Sequence, residues 1–238
     1  MIAAAWICLF TPLAAAVLIT LGGNRWPRRA TGYLATLSVA VSFVASLVAF
    51  VSILGREGED RAQLSTAWTW LSAGNFDVGL TVLVDPLSVF MMLIVSGVGA
   101  LIVAYSLGYM DGEDEERRFF AYMALFVFSM LLLVQSGNFL LLLAGWGLVG
   151  LSSYLLIGYY HERPEAVAAA KKAFIMNAFG DATMALAFFI LIQKTGSLSF
   201  DAAFSWSGGA TGSWAVNLVA LGLLGGAVAK SAQLPLQT

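Results

Sequence analysis

Apolar residues run along this chain in long unbroken stretches, and the polar residues that interrupt them fall in short clusters. Met1 to Asn24 holds no Asp, Glu, Lys or Arg, nor do Ala30 to Gly55 and Pro86 to Met110, and Phe119 to Tyr160 runs for 42 residues without one. As helix that last run would be about 63 Å long, enough for two crossings of a hydrocarbon core about 30 Å thick. Gln135-Ser136-Gly137-Asn138 is the one polar, helix-breaking cluster within it and divides it in two. The pattern predicts seven spanning helices, at roughly 2–21, 31–54, 86–110, 117–135, 139–159, 166–193 and 214–237.

The connection from 55 to 85 is too long for a turn. In Phe76-Asp77-Val78-Gly79-Leu80-Thr81-Val82, apolar residues alternate with polar or small ones, as in a half-exposed strand. Ala67-Trp68-Thr69-Trp70-Leu71 precedes it, with Ser72-Ala73-Gly74-Asn75 between, so a β-hairpin outside the membrane is expected between helices 2 and 3. A hairpin alone is marginal in water and is expected to lean on helix ends or a neighbouring subunit. Trp68 and Trp70 fit that strand and equally fit interfacial anchors.

Composition agrees with this reading. Hydrophobic residues make up 60% and charged residues 11%, against roughly a quarter charged in a soluble domain. Disorder, a disulfide scaffold and nucleic-acid binding are excluded together, and the single cysteine, Cys8, falls in the first apolar run and reads as a small packed side chain. That first run is expected to be retained as a helix and not cleaved as a leader, because no basic residue precedes it and Arg25, Arg28 and Arg29 follow it. Lys230 aside, the basic residues Arg25, Arg28, Arg29, Arg117, Arg118, Arg163, Lys171 and Lys172 lie in or beside the connections of one side, leaving Arg56, Arg61 and Lys194 on the other. Basic residues stay cytoplasmic, so the N-terminus is expected outside. The acidic run from Asp111 to Glu116 reads as a solvated cytoplasmic loop, and His161 as an ordinary loop histidine.

Two charges remain in apolar sequence, Asp181 near the middle of the sixth span and Lys230 some sixteen residues into the seventh. A charge at the bilayer centre costs at least about 2.5 to 3.5 kcal/mol, so each needs a compensating role. A desolvated lysine can alternate between its protonated and neutral forms and pass a proton on. Asn177 lies one turn before Asp181 on the same face, and Gly180 would admit a neighbouring helix. Pro235 follows Lys230 by five residues and is expected to break that helix by removing the bond to the Ser231 carbonyl, as helices break beside ion sites in transporters. Lys172, about 13 Å before Asp181, is within reach of a water chain, to which Ser152, Ser153 and Asn217 could add polar groups. The competing reading makes Asp181 and Lys230 a structural pair holding two helices together.

Tyr105-Ser106-Leu107-Gly108-Tyr109-Met110, Arg118-Phe119-Phe120-Ala121-Tyr122-Met123, Gly150-Leu151-Ser152-Ser153-Tyr154 and Ala229-Lys230-Ser231-Ala232-Gln233-Leu234-Pro235-Leu236-Gln237-Thr238 resemble subunit L (chain 5) of NADH-quinone oxidoreductase, respiratory complex I. Relatives of that family include the large subunit of multisubunit sodium/proton antiporters and membrane subunits of energy-converting hydrogenases. The resemblance implies an all-α polytopic antiporter-like module of fourteen helices, of which this chain would supply the first seven as an N-terminal piece. Implied divisions are two helices over 1–62, the hairpin and helix 3 over 63–116, and the start of the proton-translocating domain over 117–238. It also implies a bacterial inner-membrane protein partnered by other complex I membrane subunits, especially an adjacent antiporter-like one. Such a subunit would belong to a proton-translocating enzyme with flavin, iron-sulfur clusters and quinone on partner chains and no cofactor, metal or redox centre here.

Carried over by position, the resemblance makes Lys230 the proton-carrying lysine, Asp181 the acidic residue of the preceding motif and Lys172 the lysine of an Ala-x-Lys-Ala-Phe pattern. It fails at Gly147, where the family has glutamate after the helix 5 tryptophan. Asp181 as substitute counter-charge, a diverged and non-conducting structural module, and a one-base change from a working gene all remain open. A packing explanation for the glycine is also available, since Gly147, Gly150, Tyr154 and Gly158 share one helix face.

Overall fold

The computed structural model describes residues 1–73, 76–210 and 212–237. Gly74 and Asn75 of the predicted turn, and Thr238 at the end of the last motif, lie outside the described residues. The elements are α1 (Ile2–Gly22), α2 (Arg28–Leu54), β1 (Gln63–Ala73), β2 (Phe76–Val84), α3 (Pro86–Tyr109), α4 (Glu116–Val134), α5 (Phe139–Ile157), α6 (Pro164–Thr195), α7 (Phe200–Gly209) and α8 (Trp214–Lys230). Among the described residues α1 to α6 are long and apolar enough to cross a membrane, whereas α8 has 17 residues, about 25 Å of helix. The architecture of the described residues is therefore a multi-pass helical one with a β-hairpin, as the apolar pattern predicts.

The chain forms two compact units, the first of residues 1–65 and 82–135 and the second of 66–81 and 136–238. In the first, α2 buries a stripe of small residues at helical spacing, Thr31, Ala35, Ser38, Ser42, Ala45, Ser46 and Ala49. Small side chains let membrane helices approach, and the hydroxyls then find partners across the seam. Ser42 Oγ bonds Thr11 Oγ1 at 2.7 Å and donates to the Cys8 carbonyl at 2.9 Å, and Ser46 Oγ lies 3.1 Å from Ser96 Oγ. These bonds tie α1 and α3 to α2. Helix α3 starts at a reciprocal cap, with Ser88 N donating to Asp85 Oδ1 at 2.7 Å and Asp85 N donating to Ser88 Oγ at 2.8 Å, and with Pro86 in its first turn. The acidic loop is only partly solvated. Asp111 and Asp114 pair with Arg29 and Arg28 at 3.1 and 3.5 Å, while Glu116 is buried.

The hairpin matches its predicted place and leans on its own chain. Val78 and Val82 are buried, whereas Trp68 and Trp70 stay 56% and 58% exposed, which suits interfacial anchors. Gly137 N donates to the Thr81 carbonyl at 2.8 Å, and Asn138 Nδ2 to the Gly79 carbonyl at 2.9 Å. Asn138 Oδ1 also accepts from Leu141 N and so starts α5. The cluster that divides the long apolar run thus ends one helix, caps the next and holds the hairpin.

The short helix α7 is absent from the predicted elements, although Ser199 accepting from Ala202 N, with Asp201 in the first turn, is a readable start signal. Its Ala203 joins the core of the second unit with Phe139, Met184, Ala187, Phe188, Leu191, Leu198 and Val219. The end of α8 corrects the sequence reading: the helix stops at Lys230, so its predicted continuation to 237 and a break caused by Pro235 do not describe it. Ala232 takes a φ of 49°, and Gln233 N donates back to the Val228 carbonyl at 3.1 Å. This left-handed corner satisfies the Val228 carbonyl before Pro235 is reached. A non-glycine residue there costs roughly 1 kcal/mol or more.

Candidate proton-transfer site

The site stands on a seam between α6 and α8 made of very small residues. A β-carbon at Gly180 would overlap that of Ala229, and one at Gly222 would lie 2.7 Å from both the Ala187 β-carbon and the Thr183 carbonyl oxygen. Gly225 and Gly226 are equally tight against Thr183 and Met184, and Thr183 Oγ1 donates to the Gly222 carbonyl at 3.3 Å. With Gly222 and Gly226 four residues apart, α8 carries the small-xxx-small spacing that lets two membrane helices touch backbones. The close approach foreseen at Gly180 is realised, and it fixes Asp181 beside the C-terminal end of α8.

Helix α5 closes the site with a glycine. A β-carbon at Gly150 would lie 3.0 Å from Lys230 Nζ, 3.9 Å from Asp181 Oδ2 and 3.8 Å from the Asn177 β-carbon. Lys230, Asp181 and Asn177 therefore surround one open side of α5, and all three are half-buried. No ion pair closes between Asp181 and Lys230, and Asp181 Oδ1 and Lys230 Nζ have no hydrogen-bond partner among the described residues. The ammonium is instead favoured by its place in the last turn of α8, where the helix dipole is negative.

Other expected members are elsewhere. Lys172 is exposed on α6, and Asn217 is exposed in the first turn of α8. The hydroxyls of Ser152 and Ser153 donate to the carbonyls of Leu148 and Val149 on their own helix. The packing explanation holds for Gly150, and for Gly158, whose β-carbon would stand 3.2 Å from that of Ala170. It does not hold for Gly147, around which a β-carbon would meet nothing within 4 Å. Space exists there for a larger side chain. Among the described residues no cluster of three or more His, Cys, Asp or Glu is placed to hold a metal ion.

The family described as "NADH:quinone oxidoreductase/Mrp antiporter, TM" matches residues 136–238, the segment that carries this site. That segment belongs to this antiporter-like family. Residues 70–120 match a second one, "NADH-Ubiquinone oxidoreductase (complex I), chain 5 N-terminus". The chain is 44% identical over 98% of its length to NADH-quinone oxidoreductase subunit L of Mycobacterium tuberculosis strain H37Rv, and 40% identical over 98% to that of Escherichia coli K12. It spans 36% and 38% of their lengths. Among solved structures, the Mrp complex from Dietzia sp. DQ12-45-1b aligns over 98% of this chain and 23% of its own, with a TM-score of 0.71 and 23% identity. The archaeal membrane-bound sulfane sulfur reductase aligns over 98% and 45%, with a TM-score of 0.81 and 14% identity. Both share the fold.

Within this antiporter-like domain, two residues beside Lys230 are missing from the sequence-derived site. Gly150 appears there only as a packing residue and Trp146 only as a marker for Gly147. Both face the lysine from α5, and what conceals them is that their contact depends on α8 ending where it does.

Proposed function

We propose that this chain acts in a proton-translocating membrane subunit of an NADH:quinone oxidoreductase, with Lys230 as proton carrier and Asp181 as its counter-charge. The observation that carries this reading is the meeting of Lys230, Asp181 and Asn177 at the open side of Gly150, with no direct ion pair between the two charges. Two opposite charges beside one glycine, with no direct ion pair and with Asp181 Oδ1 and Lys230 Nζ lacking hydrogen bonds among the described residues, suit a proton exchanged through an intervening water better than a structural clamp. The 40–44% identity to subunit L across nearly the whole chain supports complex I over a sodium/proton antiporter.

In this reading redox chemistry lies on partner subunits bearing flavin, iron-sulfur clusters and quinone. The chain sits in a bacterial inner membrane with its N-terminus outside, beside other antiporter-like subunits, with residues 117–238 opening the translocating domain. Lys172 supplies protons from the cytoplasmic side. The test is Asp181→Asn in native membranes, with NADH-driven proton uptake followed by dye quenching. A loss of about 1.4 kcal/mol of coupling between two charges at this depth is a tenfold fall in rate. Uptake unchanged by Asp181→Asn sinks the pairing.

Gly147 favours one second reading, a module that scaffolds without conducting. Because Asp181 already faces Lys230, Gly147→Glu is expected to assemble normally and to change proton flux by less than about threefold, or about 0.65 kcal/mol in barrier. Flux rising from near zero to a coupled rate in that variant identifies the unmodified chain as the scaffold.

A further inference from the structure

Lys230 has Asp181 on one side and an aromatic face on the other. Its Nζ stands 6.0 Å from the centre of the Trp146 ring, at the outer edge of the roughly 6 Å range in which a cation is drawn to the negative face of an indole. Gly150 keeps this lane open, since a β-carbon there would stand 3.0 Å from Nζ and force the ammonium aside. The ring itself is held, because Trp146 packs against the core built on Phe139, Met184, Phe188 and Leu191.

The charged groups around the lysine are few. Asp181 faces it from α6. Helix α5 has one titratable residue, Tyr154, whose ring packs on Phe174 at 5.3 Å, and α8 has no other. Lys230 Nζ has no hydrogen-bond acceptor among the described residues, so the indole is the group on α5 that responds to its charge. An indole favours the ammonium and is indifferent to the neutral amine. It cannot itself take the proton, whereas a carboxylate in its place could.

We propose that Trp146 is a positioning residue for proton transfer, its indole face holding the Lys230 ammonium and setting the pH range over which the lysine exchanges its proton. The proposal rests on Lys230 as the proton carrier. Its consequence is a counter-charge contribution from α5 that needs no carboxylate on that helix.

The test is the pH profile of NADH-driven proton uptake in native membranes carrying Trp146→Phe and Trp146→Leu. A cation–π contact at a desolvated site corresponds to a shift of about one pH unit. Half-maximal uptake is expected to move toward acid by about that much in Trp146→Leu and by less in Trp146→Phe, with uncoupled electron transfer unchanged. A lower maximal rate with an unmoved profile overturns the proposal, because lost packing alone gives that result. Should the leucine variant fail to accumulate, mono-, di- and trifluorotryptophan at position 146 keep the shape and weaken the ring face stepwise. A graded shift supports the proposal and a flat series overturns it. Lys230→Ala, run alongside, separates the two readings: normal uptake in that variant removes the proton carrier itself, independently of any result at Trp146.

Discussion

Replacing Lys230 by alanine is expected to abolish proton uptake while the protein remains in the membrane at close to its normal level. The side chain has no hydrogen bond among the described residues and sits in the last turn of α8, so its removal breaks no bond of the fold. What disappears, on the proposed mechanism, is the lysine that takes up a proton and gives it up again. The cost to the fold is that of leaving Asp181 without its opposing charge, which can reach about 3 to 5 kcal/mol for a fully buried carboxylate and is smaller for a half-buried one able to take up a proton. Lys230→Arg separates charge from chemistry. Guanidinium keeps the positive charge but does not deprotonate in proteins, so this variant should assemble at least as well as alanine and translocate as poorly. The measurement is proton uptake per NADH oxidised in inverted membrane vesicles, with protein level by immunoblot. Coupled uptake at the normal ratio in either variant removes Lys230 from the pathway.

The second large effect lies at Gly180, whose α-carbon lies in the floor of the α6–α8 seam. Leucine there would drive its β-carbon into Ala229 and its branched end into the backbone around Gly225 and Gly226. Unlike a crowded side chain, a backbone wall cannot rotate away. Overpacking costs typically about 1 to 3 kcal/mol where neighbours can move, and more is expected where they are main chain. Gly180→Leu should therefore separate α6 from α8 and remove most of the protein from the membrane, and Gly180→Ala should lower its melting temperature in detergent by several degrees. Wild-type levels and melting for the leucine variant are incompatible with the packing described. The same seam places Asp181 next to α8, so milder variants that do accumulate should lose proton uptake before they lose stability.

The spans and the hairpin were legible because each follows from a local rule. Charge-free runs of twenty or more residues have no soluble explanation, and the alternation from Phe76 to Val82 has the period of a strand. Asp181 and Lys230 were legible because a charge inside an apolar run is costly wherever it points. What stayed hidden depends on partners distant in sequence. The apolar run after Trp214 gives no sign that the helix stops at Lys230, because the left-handed corner at Ala232 is adopted by a residue with no preference for it. Pro235, the stronger local signal, misplaces the end by five residues. Gly147 and Gly150 look alike in sequence, yet one faces open space and the other the lysine, a difference set by how α6 and α8 pack on α5. Trp146 reads as one apolar residue among many until its neighbour is known.

The hairpin has one more consequence. The carbonyls of Gly79 and Thr81 accept from the Asn138 side chain and Gly137 N, and Leu83 N donates to the Gln135 carbonyl at 2.8 Å, so residues 135–138 run along the outer edge of β2 and use its outward main-chain groups. Exposed sheet edges invite pairing with other chains, and covering the outer side of β2 leaves the outer side of β1, which pairs with no other strand among the described residues. A strand added to this hairpin from another polypeptide would therefore pair along β1, beside Leu64, Thr66 and Trp68.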